Sequence, residues 1–170
     1  VYGTLVDPMG MAGLLASDAG DAARSVSAQW REKQLEFAFR KGLMRAYEDF
    51  GVCTRQALRY AMASHGLSLS AKREDELMNA YLQLPAFDDA LPALQGLKGA
   101  YPMFAFSNGT PSALCKVLGH NDLLPLFDGL VSVDDIRSFK PDPAVYAYAR
   151  RATGAMDQPL CLVSSNAWDV

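Results

Sequence analysis

Residues 21–50 hold one glycine and no proline. Within them Val26, Trp30, Phe37 and Met44 recur near seven-residue spacing, and Leu35, Phe39 and Leu43 recur every four. An apolar period between three and four marks a helix with one broad buried face. Thr54 is expected to cap a second helix, which carries Ala57, Leu58, Ala61 and Met62 and closes at Gly66. Ser70 is expected to cap a third, with Leu77, Tyr81 and Leu84 inward and Pro85 as the stop. A fourth short helix is expected over residues 90–98, after Asp88. Nothing between residues 10 and 98 alternates in the manner of a strand.

The texture changes after residue 98. Short apolar runs at 103–106, 130–133 and 160–163 each end in a polar cluster, and helices are expected after Pro111 and over 143–153. Buried runs alternating with helices predict parallel strands in βαβ units. In such sheets the carboxyl ends of the strands form the binding crevice. The stub Val1-Tyr2-Gly3-Thr4 reads as a fourth strand end converging on it. The expected fold is α/β, a Rossmann-like parallel-sheet core built from residues 1–9 and 99–170. The helical-bundle segment 10–98 is then an inserted cap, or lid, over the crevice.

Composition narrows the class. The 170 residues are 50% hydrophobic and 21% charged, with net charge −3, which suits a core-forming globular protein without a basic field for nucleic acid. No apolar run approaches the ~20 residues of a membrane span. Cys53, Cys115 and Cys161 are odd in number and scattered, which implies reduced thiols and a cytoplasmic protein. His65 and His120 stand alone, so no zinc site is visible; His65 reads as a cation at a helix end. Asp134-Asp135 reads as a loop cap rather than a metal pair, because adjacent residues at a strand end point to opposite sides.

The chemistry lies in an ordered set of motifs: Tyr2-Gly3-Thr4, Ser107-Asn108-Gly109, Lys140-Pro141-Asp142 and Ser164-Ser165-Asn166-Ala167-Trp168-Asp169. Together with Trp30-Arg31-Glu32-Lys33-Gln34-Leu35-Glu36-Phe37 in the lid, the set resembles the haloacid dehalogenase (HAD) superfamily. Within it, the closest resemblance is to the L-2-haloacid dehalogenases. The superfamily's first motif is Asp-x-x-Gly-Thr or close to it, which puts the nucleophilic aspartate just before Val1. Two departures from the phosphatase majority define the subclass. Phosphatases keep a second acid two positions after the nucleophile to protonate an alkoxide, and here that position is Tyr2. They also gather acids in the fourth motif to hold Mg²⁺, and here that loop has one carboxylate. A departing halide needs no proton, so dehalogenation is the better reading, with no metal and no cofactor expected.

The resemblance implies that the aspartate attacks C2 of an L-2-haloalkanoate, expels halide and forms an ester, which water hydrolyses to the D-2-hydroxy acid. It implies that Thr4 bonds the nucleophile, and that Ser107 holds the substrate carboxylate with backbone N–H groups near Tyr2 and Asn108. Arg31 and Asn108 cradle the halide, beside Phe50. Lys140 pairs with the nucleophile and Tyr146 supports the site, while Ser164, Asn166 and Asp169 position and activate water. A small 2-haloacid and its halide are the expected partners, with a homodimer the common assembly of such enzymes.

Taken singly, each residue has a structural alternative. Lys140 could be a loop lysine, Arg31 a surface arginine, Ser107 and Asn108 turn formers, and Asp169 a helix cap. Trp30, Phe37 and Phe39 read as packing. Two alternatives stand beside dehalogenation: a phosphatase or phosphonatase of the same superfamily, and an inactive fragment without its nucleophile. The fragment reading expects a chain that, on its own, aggregates or stays loosely folded.

Overall fold

The computed structural model describes residues 1–170. Helix α1 (Met11–Ala19) leads into α2 (Ala23–Leu43), α3 (Phe50–Ser64), α4 (Ala71–Tyr81) and α5 (Ala90–Leu97). Then follow β1 (Phe104–Ser107), α6 (Pro111–His120), β2 (Gly129–Ser132) and α7 (Pro143–Ala152). β1 and β2 pair in parallel, from Phe104 opposite Gly129 to Ser107 opposite Ser132. Both strands therefore end level, and their polar termini lie side by side.

Most helix boundaries follow local chemistry. The Ser70 side chain accepts from Arg73 N at 3.2 Å and opens α4. Thr110 accepts from Ala113 N with Pro111 in the first turn of α6, a position where proline loses no hydrogen bond. Past α3, Gly66 takes φ +70, and His65 Nδ1 lies 3.0 Å from Ala61 O while its Nε2 meets Ser25 Oγ at 3.0 Å. Thr54 is not the cap of α3. Asp49 is, accepting from Val52 N at 3.1 Å, and the helix begins four residues before Thr54. Thr54 lies inside the first turns and donates back to Phe50 O at 2.7 Å. Residues 21–50 are likewise two helices, because α2 stops at Leu43 and residues 44–49 form the connection.

The buried face of α2 also differs from the apolar count. Val26, Trp30, Gln34 and Ala38 form the buried seam, at a spacing of four. Leu43 and Met44 are exposed, at 87% and 66%. One core of 28 buried residues runs from Tyr2 to Val145. It takes Cys53, Ala57, Leu58 and Ala61 from α3, Leu114, Val117 and Leu118 from α6, and Ala105 from β1.

Two of the four expected strand ends are not strands. Residues 160–163 join no ladder, and Leu160 and Val163 are 44% and 76% exposed. A parallel strand exists only through a neighbour's hydrogen bonds, and residues 160–163 make no backbone hydrogen bond to another segment. The stub at residues 1–4 is a tight turn in which Leu5 N donates to Val1 O at 2.8 Å and Gly3 N to Val6 O at 2.8 Å, with Gly3 at φ +86. Just after it, Asp7 N donates to Pro85 O and Phe87 N to Leu5 O, both at 2.9 Å, so the chain entering the helical segment is tied to the chain leaving it. Asp134 and Asp135 sit in a 3-10 turn capped by Ser132, not by either acid. Tyr47 donates to Asp134 and Tyr148 to Asp135, each at 2.5 Å, so the two carboxylates point to different partners.

Candidate active site

Ser107 ends β1, is buried, and accepts from Gly109 N at 3.1 Å. Asn108, also buried, accepts from Lys140 N at 3.0 Å and so ties the β1 loop to the turn before α7. Ser132 ends β2 and donates to Gly109 O at 2.7 Å. The motif reading missed Ser132, although a serine closing a buried run was a visible signal.

Lys140 and Asp169 form the centre. The Lys140 ammonium donates to Asp169 Oδ2 at 2.5 Å, and the side chains are only 9% and 1% exposed. Tyr146 donates to the other oxygen, Oδ1, at 2.7 Å. Lys140 Nζ also stands 4.8 Å from the centre of the Phe106 ring and 5.9 Å from that of Trp168, both within cation–π range. Burial pushes the Lys140 ammonium below the ordinary lysine value, against the opposing pull of Asp169. Burial alone would raise the Asp169 carboxyl, but the bonds from Lys140 and Tyr146 outweigh it and hold the group below the usual aspartate value. Asp169 is thus an ionised acceptor with both oxygens engaged.

The first-motif turn meets the fourth-motif loop beside this pair. Ser165 N donates to Thr4 Oγ1 at 3.1 Å, and the Ser165 hydroxyl donates to Gly3 O. Ser164 Oγ accepts from Asn166 N at 3.2 Å, and Asn166 O accepts from Asp169 N at 2.9 Å, folding the loop back on itself. Glycine is needed at position 3 for its φ of +86, since a Cβ there would meet Arg31 Nη2 and Ser165 Oγ only in ordinary contact, at 3.5 and 3.6 Å. Arg31 reaches over from α2 and donates to Tyr2 O at 3.2 Å.

Tyr2 is buried, its ring centre 5.9 Å from that of Phe50 and 5.7 Å from that of Tyr81. Burial raises its phenol well above the ordinary tyrosine value, and the neighbouring Tyr81 adds to the shift. The Phe50 ring also stands 6.3 Å from that of Phe139, the residue before Lys140. A cleft of about 430 Å³ between α3, α4 and the start of α6 meets the polar cluster only at Tyr2, Phe50 and Gly109. Lys140 and Asp169 do not line it. Of the expected residues, Thr4, Arg31, Tyr2, Ser164 and Asn166 gather around the Gly3 turn. Ser107, Asn108, Lys140, Tyr146 and Asp169 are joined by direct bonds or by one intervening residue, and Phe50 joins the first group through the Tyr2 ring.

A buried lysine–carboxylate pair beside the carboxyl ends of two parallel strands is the arrangement expected of a hydrolase of the HAD type. The whole chain, residues 1–170, matches the haloacid dehalogenase-like hydrolases, and the chain belongs to that family. Among its relatives, (S)-2-haloacid dehalogenase 4A of Burkholderia cepacia is 37% identical over 170 residues, spanning 99% of this chain and 74% of the relative. A dehalogenase crystal structure superposes with TM-score 0.93 at 37% identity, covering 99% of this chain and 75% of the other. An L-2-haloacid dehalogenase of Xanthobacter autotrophicus, solved with chloropropionic acid covalently bound, superposes with TM-score 0.86 at 32% identity. It covers 91% of this chain and 62% of that one.

Proposed function

We propose that this protein hydrolyses the carbon–halogen bond of L-2-haloalkanoic acids, giving the D-2-hydroxy acid, a proton and halide. The observation that carries the reading is Tyr2. Where a phosphatase of this family keeps a carboxylic acid, this chain has a phenol whose ring packs against Phe50 and Tyr81 and which burial makes a weaker acid than an ordinary tyrosine, a poor donor to a leaving group. Halide is the leaving group that needs no such proton. The relatives named for 2-haloacid dehalogenation, and the one carrying covalently bound chloropropionic acid, support the same substrate class and an ester intermediate.

The nucleophile in this proposal is the aspartate that the family's first motif places just before Val1, next to the turn bonded by Arg31 and Ser165. Its carboxylate attacks C2 from behind and the carbon–halogen bond breaks. Water then adds to the ester carbonyl and the aspartate leaves. Lys140 keeps the nucleophile ionised and Thr4 orients it. Ser107 and the backbone near Tyr2 and Asn108 hold the substrate carboxylate, and Arg31 with Asn108 takes the halide beside Phe50. Asp169, fixed by Lys140 and Tyr146, positions the hydrolytic water with Ser164 and Asn166. Preorganised donors in a buried site supply the stabilisation where charge develops.

A divalent cation does not fit this loop. Asp169 is its one carboxylate, and Lys140 and Tyr146 occupy both oxygens, whereas a hard cation needs several free oxygen ligands. Residues 10–98 act as the lid on a core of 1–9 and 99–170, a division supported by the backbone bonds that tie residues 5–7 to residues 85–87. The three unpaired cysteines support a cytoplasmic setting. The homodimer is carried over from the resemblance, and sedimentation velocity tests it.

The experiment is halide release by the enzyme with its aspartate ahead of Val1. L-2-chloropropionate should turn over in EDTA, and the D enantiomer should not. Mg²⁺-dependent hydrolysis of p-nitrophenyl phosphate, with no halide release, would overturn the proposal in favour of a phosphatase.

A further inference from the structure

We infer that Gln34 is a positioning residue that aims the Arg31 guanidinium, acting through a buried relay with Thr54 and Tyr81. The inference rests on the dehalogenase reading for what Arg31 does, but the relay itself is read from the geometry. Gln34 has no exposed surface. A glutamine on a helix normally faces solvent, so one in the core between Trp30 and Ala38 must have both amide atoms bonded to be tolerated.

Three of its four hydrogen-bonding positions are filled, at least one on each amide atom, and the direction of each bond is set by its neighbours. The Thr54 hydroxyl spends its proton on Phe50 O at 2.7 Å, so it can only accept from Gln34 Nε2, at 2.6 Å. That fixes the amide orientation and turns Oε1 the other way. Oε1 accepts Arg31 Nη1 at 2.7 Å and the Tyr81 hydroxyl at 2.9 Å. Arg31 then has its second arm, Nη2, on Tyr2 O at 3.2 Å. Trp30 Nε1 donates to Thr54 O at 2.8 Å and locks the same turn of α3.

The guanidinium is therefore held at two points, one on the lid and one on the first-motif turn. Without Gln34 only the Tyr2 carbonyl would remain, and a long flexible side chain would sample several rotamers. The relay also joins the groups around the proposed halide position: Phe50 supplies its last acceptor, and Tyr81 stacks on Tyr2. Arg31 thus stands preorganised before any charge develops, where it stabilises departing halide without reorganisation.

The test is steady-state kinetics of Gln34→Leu and Tyr81→Phe in the full enzyme, on 2-chloro- and 2-bromopropionate. Gln34→Leu should lower kcat on the chloro substrate by roughly ten- to a hundredfold, the scale of a misplaced catalytic contact. The loss should be several-fold smaller on the bromo substrate, whose leaving group needs less help. Inhibition by product chloride should weaken in parallel. Tyr81→Phe removes one donor and should lose about three- to tenfold with the same bias. In an Arg31→Ala background, measured on 2-bromopropionate, Gln34→Leu should change the residual rate by less than about twofold.

A purely structural glutamine gives equal losses on both halides and effects that multiply with Arg31→Ala; that result overturns the inference. If Gln34→Leu does not fold, the halide bias of Tyr81→Phe decides. A full enzyme that releases no halide at all overturns the dehalogenase reading, and with it the halide role given to Arg31.

Discussion

Replacing Asp169 by asparagine keeps the shape of the site and removes one charge of a buried pair. Within residues 1–170, Lys140 is then left with 9% of its side chain exposed and no carboxylate within salt-bridge distance. Removing one partner of such a pair typically costs about 3–5 kcal/mol, because the remaining charge is desolvated and uncompensated. The lysine can escape by losing its proton, which sets a ceiling. From its ordinary value of 10.5 to pH 7 is about 3.5 pH units, and at 1.36 kcal/mol each the cost of neutralisation is about 4.8 kcal/mol. The predicted loss at pH 7 therefore lies between about 3 and 5 kcal/mol.

The pH dependence carries the diagnostic sign. In Asp169→Asn the folded lysine titrates below 10.5, so its penalty is full below the folded pKa and fades as pH rises toward 10.5. Stability relative to wild type should improve with alkalinity. The wild-type carboxylate behaves oppositely: held below its ordinary value, it stabilises at neutral pH and loses that contribution as acid protonates it. Urea unfolding of both proteins at a series of pH values from 6 to 9 reads the lysine slope, and a second series from pH 5 downward reads the carboxylate's. Tyr146→Phe serves as a comparison, with a loss of about 1.5–3 kcal/mol for a hydrogen bond to a charged group and no alkaline recovery. A loss below about 1 kcal/mol for Asp169→Asn, flat across this window, would mean that the pair is solvated, and the reasoning would fail.

Tyr2→Phe should retain activity within about threefold, because only the backbone oxygen of Tyr2 is used; a loss of about 10²–10⁴ would instead mark the phenol as a general acid. Leu58, fully buried in α3, should cost about 2–5 kcal/mol when cut to alanine, and a smaller loss in urea unfolding would show that the lid core collapses around the gap.

What the chain determines by itself is what neighbours within a few residues can decide. Ser70, Pro111 and Gly66 punctuate helices because each satisfies or interrupts a backbone bond three or four positions away, and the structure puts helix ends there. The polar residues closing two apolar runs mark the crevice for the same reason, since strand ends are local. Asp49 was overlooked as a cap because Thr54 is an equally good capping residue and local sequence does not rank the two. Three things were decided only by tertiary structure. Residues 160–163 have the composition of a buried strand, but pairing requires a partner that local pattern does not name. Gln34 was invisible as a core residue, since its burial depends on Thr54, Tyr81 and Arg31 arriving from other turns. Lys140, Tyr146 and Asp169 were each legible as candidates, whereas their union was not. Charge pairing is set by distance in space and by exclusion of water, and neither quantity is written in the spacing along the chain.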